Sequence, residues 1–574
     1  MSQMITGKVS ATVTSAAAAP LPSVAGHMHG FDRRCALALA IAAGLSLGVQ
    51  STAWAQAFPA EIDLTDLDGT DGFVLDGDET AEGTSFSTGF SVSGAGDINK
   101  DNIDDLIIGA PYFNSNGNIR SGRSYLVFGS QNGFSSPFKL SELNGTNGLV
   151  INGASAGDLS GLSVSTAGDI NHDGIDDLLI GAVDAEPTGI NDSGASYVVF
   201  GSASGLPNPL NLSTLNGKNG FVLIGNEEDA SGISVSAAGD VNGDGIDDLI
   251  IGAYVASTNG SSYTGRSYVV FGASAGFPAE LDLSSLNGFN GFVLNGEAAG
   301  DYSGISVSAA GDINGDGFDD LVIGAEYADP GGNSNAGRSY VVFGSNSGLP
   351  NPRNLSSLDG VNGFALNGEA EYDHSGGSVS AAGDINGDGI DDLVIGARYA
   401  YTNDIESGRS YVIFGSNSGL PNPFELSSLD GSNGFVLNGE AWGDNSGFSV
   451  SVAGDVNGDG IDDLVIGARY ADANGINKAG RVYVVFGKSS GIAHPLELST
   501  LDGTNGFVIN GGTARELSGS SVSGAGDING DGIDDLIIGA PDAKVSNSNI
   551  RVGRGYVIFG RNADLLFRDN FEGN

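Results

Sequence analysis

Seven nine-residue segments of the pattern DxNxDxxDD begin at Asp97, Asp169, Asp240, Asp312, Asp384, Asp455 and Asp527, and each concentrates the oxygen donors that a hard cation needs. The third position is Asn99, Asn171, Asn242, Asn314, Asn386, Asn457 or Asn529, and the fifth is Asp101, Asp173, Asp244, Asp316, Asp388, Asp459 or Asp531. The ninth is Asp105, Asp177, Asp248, Asp320, Asp392, Asp463 or Asp535. A backbone carbonyl can be added by the seventh residue, which is Ile103, Ile175, Ile246, Phe318, Ile390, Ile461 or Ile533. Glycine at the sixth position permits the sharp turn, except in the first copy, where Asn102 replaces it and must adopt the same positive φ. Oxygen donors with no thiol or imidazole among them select calcium over zinc or copper, so up to seven Ca²⁺ ions are expected, one per copy. Three carboxylates on one short hairpin repel one another, and a divalent cation offsets that repulsion. The eighth-position acids, Asp104, Asp176, Asp247, Asp319, Asp391, Asp462 and Asp534, are expected to point away into solvent. The competing explanation is that Asp-Gly and Asn-Gly merely form hairpin turns. It accounts for one such residue per turn, not for an alternating acidic series ending in an Asp pair.

The copies recur every 71 or 72 residues, so one supersecondary unit is repeated. In the fourth copy four short apolar runs bounded by glycine read as strands, at Phe292–Leu294, Ile305–Ala309, Leu321–Ile323 and Tyr340–Phe343. Four antiparallel strands in each of seven units predict an all-β, seven-bladed β-propeller. The small-residue GxSVSxAG run suits the crowded innermost place, followed outward by LxIGA and SYVVFG. The last copy has no following GFVLNG, and a spare GFVLDG stands near the other end at Phe73–Leu75. That N-terminal strand is expected to pair with the last blade and close the ring, removing an open edge. An open solenoid is the structural alternative.

Glycine is abundant, at 94 of 574 residues, as many short strands and tight turns require. A formal charge of −47 excludes nucleic acid as a partner, since no basic stripe exists to neutralise phosphates. Residues 1–55 read as an N-terminal extension and signal peptide: Arg33 and Arg34 precede the run CALALAIAAGLSLGV, and Ala53-Trp54-Ala55 offers a small-residue cleavage site. The true start is then Met28 or Met1, and cleavage removes the one cysteine, Cys35. A transmembrane anchor fits less well, because the run is shorter than the ~20 residues a bilayer needs. The expected organisation is a leader over 1–55, a propeller over 56–560 and a tail over 561–574, in a secreted or cell-surface protein with no membrane span in its mature part.

GDINGDGIDDLVIGA followed by GRSYVVFG resembles the FG-GAP repeat of the integrin alpha-chain propeller, and the likeness runs from about Phe58 to Gly560. It implies a seven-bladed propeller with calcium in the acidic loops of one face and ligand recognition or adhesion on the other. The chain departs from that pattern in two ways. The Phe-Gly before the inner strand is Ser-Gly in six copies and Thr88-Gly89 in the first, and Gly-Ala-Pro survives only at Pro111 and Pro541. Leg domains and an inserted adhesion domain are not expected, so a heterodimeric receptor does not follow. Nor is a phospholipase D-type domain expected, although some such propellers are attached to one.

The face opposite the acidic loops is where the copies diverge. Its loops carry Tyr112, Tyr254, Tyr263, Tyr327, Tyr399, Tyr401 and Tyr470 from one set, and Tyr302, Tyr372 and Trp442 from the other. Large, stiff, half-polar rings suit an extracellular protein or glycan ligand, so Tyr112, Tyr254, Tyr302, Tyr327, Tyr372, Tyr399, Trp442 and Tyr470 are the candidate contacts. The alternative is local packing of tyrosines near strand ends. Beyond the leader only His172, His374 and His494 remain, with no nucleophile, base and orienting group set together, so catalysis is not expected. Two other functions compete with recognition: a calcium-dependent hydrolase or lyase acting on extracellular polysaccharide, and a structural surface-layer component.

Overall fold

The computed structural model describes residues 58–78, 85–258, 260–402, 404–545 and 551–562. The expected leader and the tail from 563 onward lie outside them. Among the described residues every extended element is a short strand, accompanied only by single-turn 3-10 segments. The strands form the expected seven-bladed β-propeller.

Blade 4 shows how the sequence builds each unit. Its inner strand is Ser306–Gly311, its second Asp320–Ala325, its third Arg338–Val342 and its outer strand Gly363–Asn367, all antiparallel. The second strand is buried on both faces, because neighbouring blades cover it from either side, and it therefore reads as a continuous apolar run. The hydrophobic clusters lie between blades: one joins Ala95, Ile107 and Leu149 of blade 1 to Val164, Ile180 and Tyr197 of blade 2, and six others repeat the arrangement around the ring. No blade completes its core alone, which is why the repeats must stack.

Each blade carries one more strand than the expected four. A two- or three-residue parallel strand from the following blade's third-to-outer connection lies against the outer strand, as Phe424–Glu425 does on Gly363–Asn367. The N-terminal segment supplies two such places. Gly72–Asp76 becomes the outer strand of blade 7, antiparallel to Arg551–Ile558, as expected for ring closure. Glu61–Asp63 adds the short parallel strand of blade 6, along Gly506–Asn510.

At the channel, seven serine hydroxyls tie each inner strand to the next. Ser91 accepts the Val164 N–H, Ser163 that of Val235, Ser234 that of Val307 and Ser306 that of Val379, at 3.0–3.1 Å. Ser378, Ser449 and Ser521 accept from Val450, Val522 and Val92, and the last bond closes the circle. The SVS motif is thus a ring fastener as well as a small-residue strand.

Candidate metal loops and ligand face

Every inner strand ends in a β-bulge whose glycine pairs with the ninth-position aspartate, as Gly311 does with Asp320. The bulge turns the chain into the acidic loop and sets the ninth carboxylate beneath it. There Asp320 is fully buried and its Oδ1 accepts the Gly344 N–H at 2.9 Å. The Asn314 carboxamide lies 3.1 Å from its Oδ2. The first carboxylate organises the turn: Asp312 accepts the Asp316 N–H at 2.9 Å and the Gly317 N–H at 2.8 Å. The fifth, Asp316, accepts the Phe318 N–H at 3.1 Å.

The same bonds recur in the first copy, where Asn102 takes φ +66° and gives its N–H to Asp97 at 2.8 Å. Asparagine therefore does the work of the missing glycine. His172, in the second loop, faces solvent as expected.

Burial, then the nearby fifth and first carboxylates, push Asp105, Asp177, Asp248, Asp320 and Asp535 up to about 8. Asp392 and Asp463 are raised to the same range by the same causes. Each loop thus collects three carboxylates, an amide and a backbone carbonyl, a donor set that fits a hard divalent cation. As the side chains stand, no three acidic or imidazole groups among the described residues close on one point.

The eighth-position acids are not free in solvent. Each reaches across to the preceding blade and accepts the N–H of that loop's first aspartate: Asp176 from Asp97, Asp247 from Asp169, Asp319 from Asp240 and Asp391 from Asp312, all at 2.8 Å. Asp462, Asp534 and Asp104 do the same for Asp384, Asp455 and Asp527, so seven loops form one closed circuit. The physical reason is a group that a lone hairpin lacks, the neighbouring blade's unsatisfied N–H. The bulge glycine makes room for the carboxylate: on Gly239, at φ +67°, a Cβ would stand 2.3 Å from Asp319 Oδ2.

On the opposite face, five of the eight aromatic candidates join one arc. Tyr254 lies 6.0 Å from Tyr302, Tyr302 5.3 Å from Tyr327, Tyr327 5.0 Å from His374, and His374 5.2 Å from Tyr399, centroid to centroid. Tyr263 stacks on Tyr302 at 5.5 Å. The arc continues through cations: the Arg398 guanidinium lies over Tyr399 and near Phe448, and that of Arg469 lies over Phe448 at 3.5 Å and Tyr470 at 4.6 Å. Tyr112 stands apart in blade 1, edge-on to Phe90. Tyr372 and Trp442 are outside the arc and project into solvent, 57% and 74% exposed.

Sequence reasoning weighed His374 only for catalysis and passed over Arg398, Phe448, Arg469 and the buried Glu326 that pairs with Arg398 at 2.5 Å. Glu326, Arg398 and Arg469 fill one column, the residue after LxIGA, which is Pro111, Val183, Tyr254, Glu326, Arg398, Arg469 and Pro541 around the ring. Reading the copies as columns would have exposed the change of charge.

The FG-GAP repeat model matches residues 88–127, 160–199, 231–270, 303–342, 375–413, 446–485 and 518–558, one match in each blade. The chain is an FG-GAP repeat protein. This FG-GAP protein is 30% identical over 237 residues to integrin alpha pat-2 of Caenorhabditis elegans, covering 41% of the chain and 17% of the integrin. It is 32% identical over 196 residues to integrin alpha-5 of Xenopus laevis, covering 33% and 16%. It is also 28% identical over 416 residues to human phosphatidylinositol-glycan-specific phospholipase D, covering 70% of the chain and 46% of the enzyme. The FG-GAP chain therefore spans less than half the length of these relatives. No helix among its described residues is long and apolar enough to cross a membrane.

Proposed function

We propose that this propeller is a secreted, calcium-loaded recognition module that binds an extracellular glycan or protein through the face opposite its acidic loops. The observation that carries the reading is the arc of neighbouring aromatic rings over blades 3 to 5, continued into blade 6 by Arg398 and Arg469, on a face where the seven copies otherwise agree least. Rigid half-polar rings bind with little loss of conformational freedom. Likeness to integrin alpha chains supports the same role.

In this reading the first, third, fifth and ninth side chains of each loop would hold Ca²⁺, with the seventh carbonyl. The ion supplies positive charge to a cluster that otherwise keeps a buried acid protonated. The loop's own N–H bonds already hold the first and fifth carboxylates in place, and the circuit of eighth-position acids ties each loop to the next.

The test is a glycan and matrix-protein array probed with the purified chain, in calcium and in chelator. Binding should require calcium and should fall in Tyr399→Ala. Trp442→Ala, on the solvent-facing ring, tests whether the contact extends to the outer rim. A ligand captured equally well by Tyr399→Ala and in chelator would refute the reading.

The long match to the phospholipase supports a second reading, in which the propeller serves hydrolytic chemistry. Release of product from phosphatidylinositol-glycan or polysaccharide substrates by the chain alone would favour it.

A further inference from the structure

The aromatic arc ends at three cations, Arg398, Arg469 and Lys478, each set against an aromatic ring. Acidic residues outnumber lysine and arginine by 70 to 23. Nine arginines accordingly have an acidic partner within ion-pair distance, including the third-strand set of Arg123, Arg266, Arg338, Arg409 and Arg481. Among the described residues Arg469 has none. Arg120, Arg353 and Arg515 also lack one: Arg120 and Arg515 are exposed, Arg120 against the Tyr112 ring, and Arg353 sits in the short edge strand of blade 3.

The repeat explains why Arg469 is left over. Arg398 in blade 5 turns back to Glu326, its counterpart in blade 4, and the pair occupies space that opens because the next inner-strand residue is Gly377. A Cβ there would stand 2.3 Å from Arg398 Nη1 and 2.7 Å from Glu326 Oε2. One blade on, the residue matching Gly377 is Phe448, and the residue matching Glu326 is Arg398 itself. Arg469 therefore meets a ring and a like charge where its predecessor met a carboxylate. Its guanidinium lies flat over Phe448, its Nη2 donates to the Tyr470 hydroxyl at 3.0 Å, and its buried Nε has no hydrogen-bond partner. The exposed Lys478 ammonium sits 4.2 Å from the Tyr470 ring as a third cation, while Asp472 accepts the Lys478 backbone N–H at 2.7 Å.

We propose that this sector of blades 5 and 6 is an anion subsite, in which Arg469 holds a carboxylate of an acidic, uronate-bearing oligosaccharide. The assignment rests on the recognition reading above and names the ligand class of that face. A stacked, planar guanidinium with open donors matches a carboxylate. Without local cations, so acidic a protein would repel a polyanion. The row of rings leading to the site, with centroids 5.0–6.0 Å apart and planes tilted or edge-on to one another, offers an extended series of half-polar contacts that suits an oligosaccharide running along it.

The test is calorimetric titration of the calcium-loaded full chain with a short oligogalacturonate and with the neutral galacto-oligosaccharide of equal length. The uronate should bind the tighter, weaken with added salt, and lose about ten- to a hundredfold in affinity in Arg469→Gln. Arg469→Lys should recover part of that loss, and the exposed Lys478→Gln, which is safe for folding, should show a smaller loss of the same kind. Melting curves of each variant separate lost contact from lost fold. Equal binding of both sugars, unchanged by Arg469→Gln and Lys478→Gln, would overturn the anion subsite while leaving recognition by the face intact. An acidic peptide bound through Arg469, with no uronate binding, would overturn the glycan assignment. If neither probe binds and the array of the preceding section finds no ligand, both readings fall.

Discussion

Replacing Asp319 with alanine separates two roles for the eighth carboxylate, a tie to the neighbouring blade's loop or a member of its own. Its Oδ2 accepts the half-buried Asp240 N–H at 2.8 Å, and the same oxygen would stand 2.3 Å from a Cβ on Gly239. Losing a hydrogen bond to a charged acceptor costs about 1.5–3 kcal/mol. Gly239→Ala in the native chain incurs the same loss, because the carboxylate must swing away, together with about 1 kcal/mol for an L residue at positive φ. Once Asp319 is alanine, Gly239→Ala should cost only the second amount. The double variant is then less destabilised than the sum of the singles by about 1.5–3 kcal/mol.

Native-state hydrogen exchange, read by mass spectrometry on peptides covering each loop, measures these energies where they arise. In Asp319→Ala the blade 3 loop, Asp240 to Asp248, should exchange about 10–100 times faster, while the blade 4 loop, Asp312 to Asp320, keeps its protection. Asp319→Asn retains an acceptor without the charge and should fall between. Additivity of the two substitutions within about 0.5 kcal/mol, or faster exchange confined to the blade 4 loop, would refute the circuit.

The ninth aspartates, raised from 3.8 to about 8 by burial, keep their protons in the folded chain while the unfolded chain loses them. The metal-free protein should therefore lose stability as pH rises from about 4 to 8, and calcium uptake at pH 7 should release close to one proton per ion; calorimetry in buffers of different ionisation enthalpy measures the release. Phe73, fully buried and stacked on Phe134 at 4.2 Å, anchors the closing strand. Phe73→Ala should cost about 3–5 kcal/mol and speed exchange in Arg551–Ile558, whereas Phe292→Ala, at the matching place in blade 3, should act on Arg266–Val270. Ser163→Ala leaves the Val235 N–H without its acceptor and should lower stability by about 1 kcal/mol; an unchanged denaturation midpoint would reject the fastening role of the serine ring.

What could be read from the chain alone was whatever repeats within one unit. The DxNxDxxDD period counted the blades, and the unpaired GFVLDG at Phe73–Leu75 named the closing strand, because each is a local pattern with a missing or surplus copy. The parallel edge strands stayed hidden, since two residues such as Phe424 and Glu425 carry no alternation and their partner belongs to another blade. Asp319 was misplaced for the same reason: a loop read as an isolated hairpin has no Asp240 N–H to offer. Arg469 shows the opposite failure. Its position is repeated and its importance lies in not matching the column, for the fold carries each residue's partner one blade back, and where Glu326 gives way to Arg398 the charge behind it goes unanswered. In a ring of near-identical blades, function is therefore most readily sought at the junctions where two successive copies differ in charge, and the change from Glu326 through Arg398 to Arg469 is such a junction on the face that carries the aromatic arc.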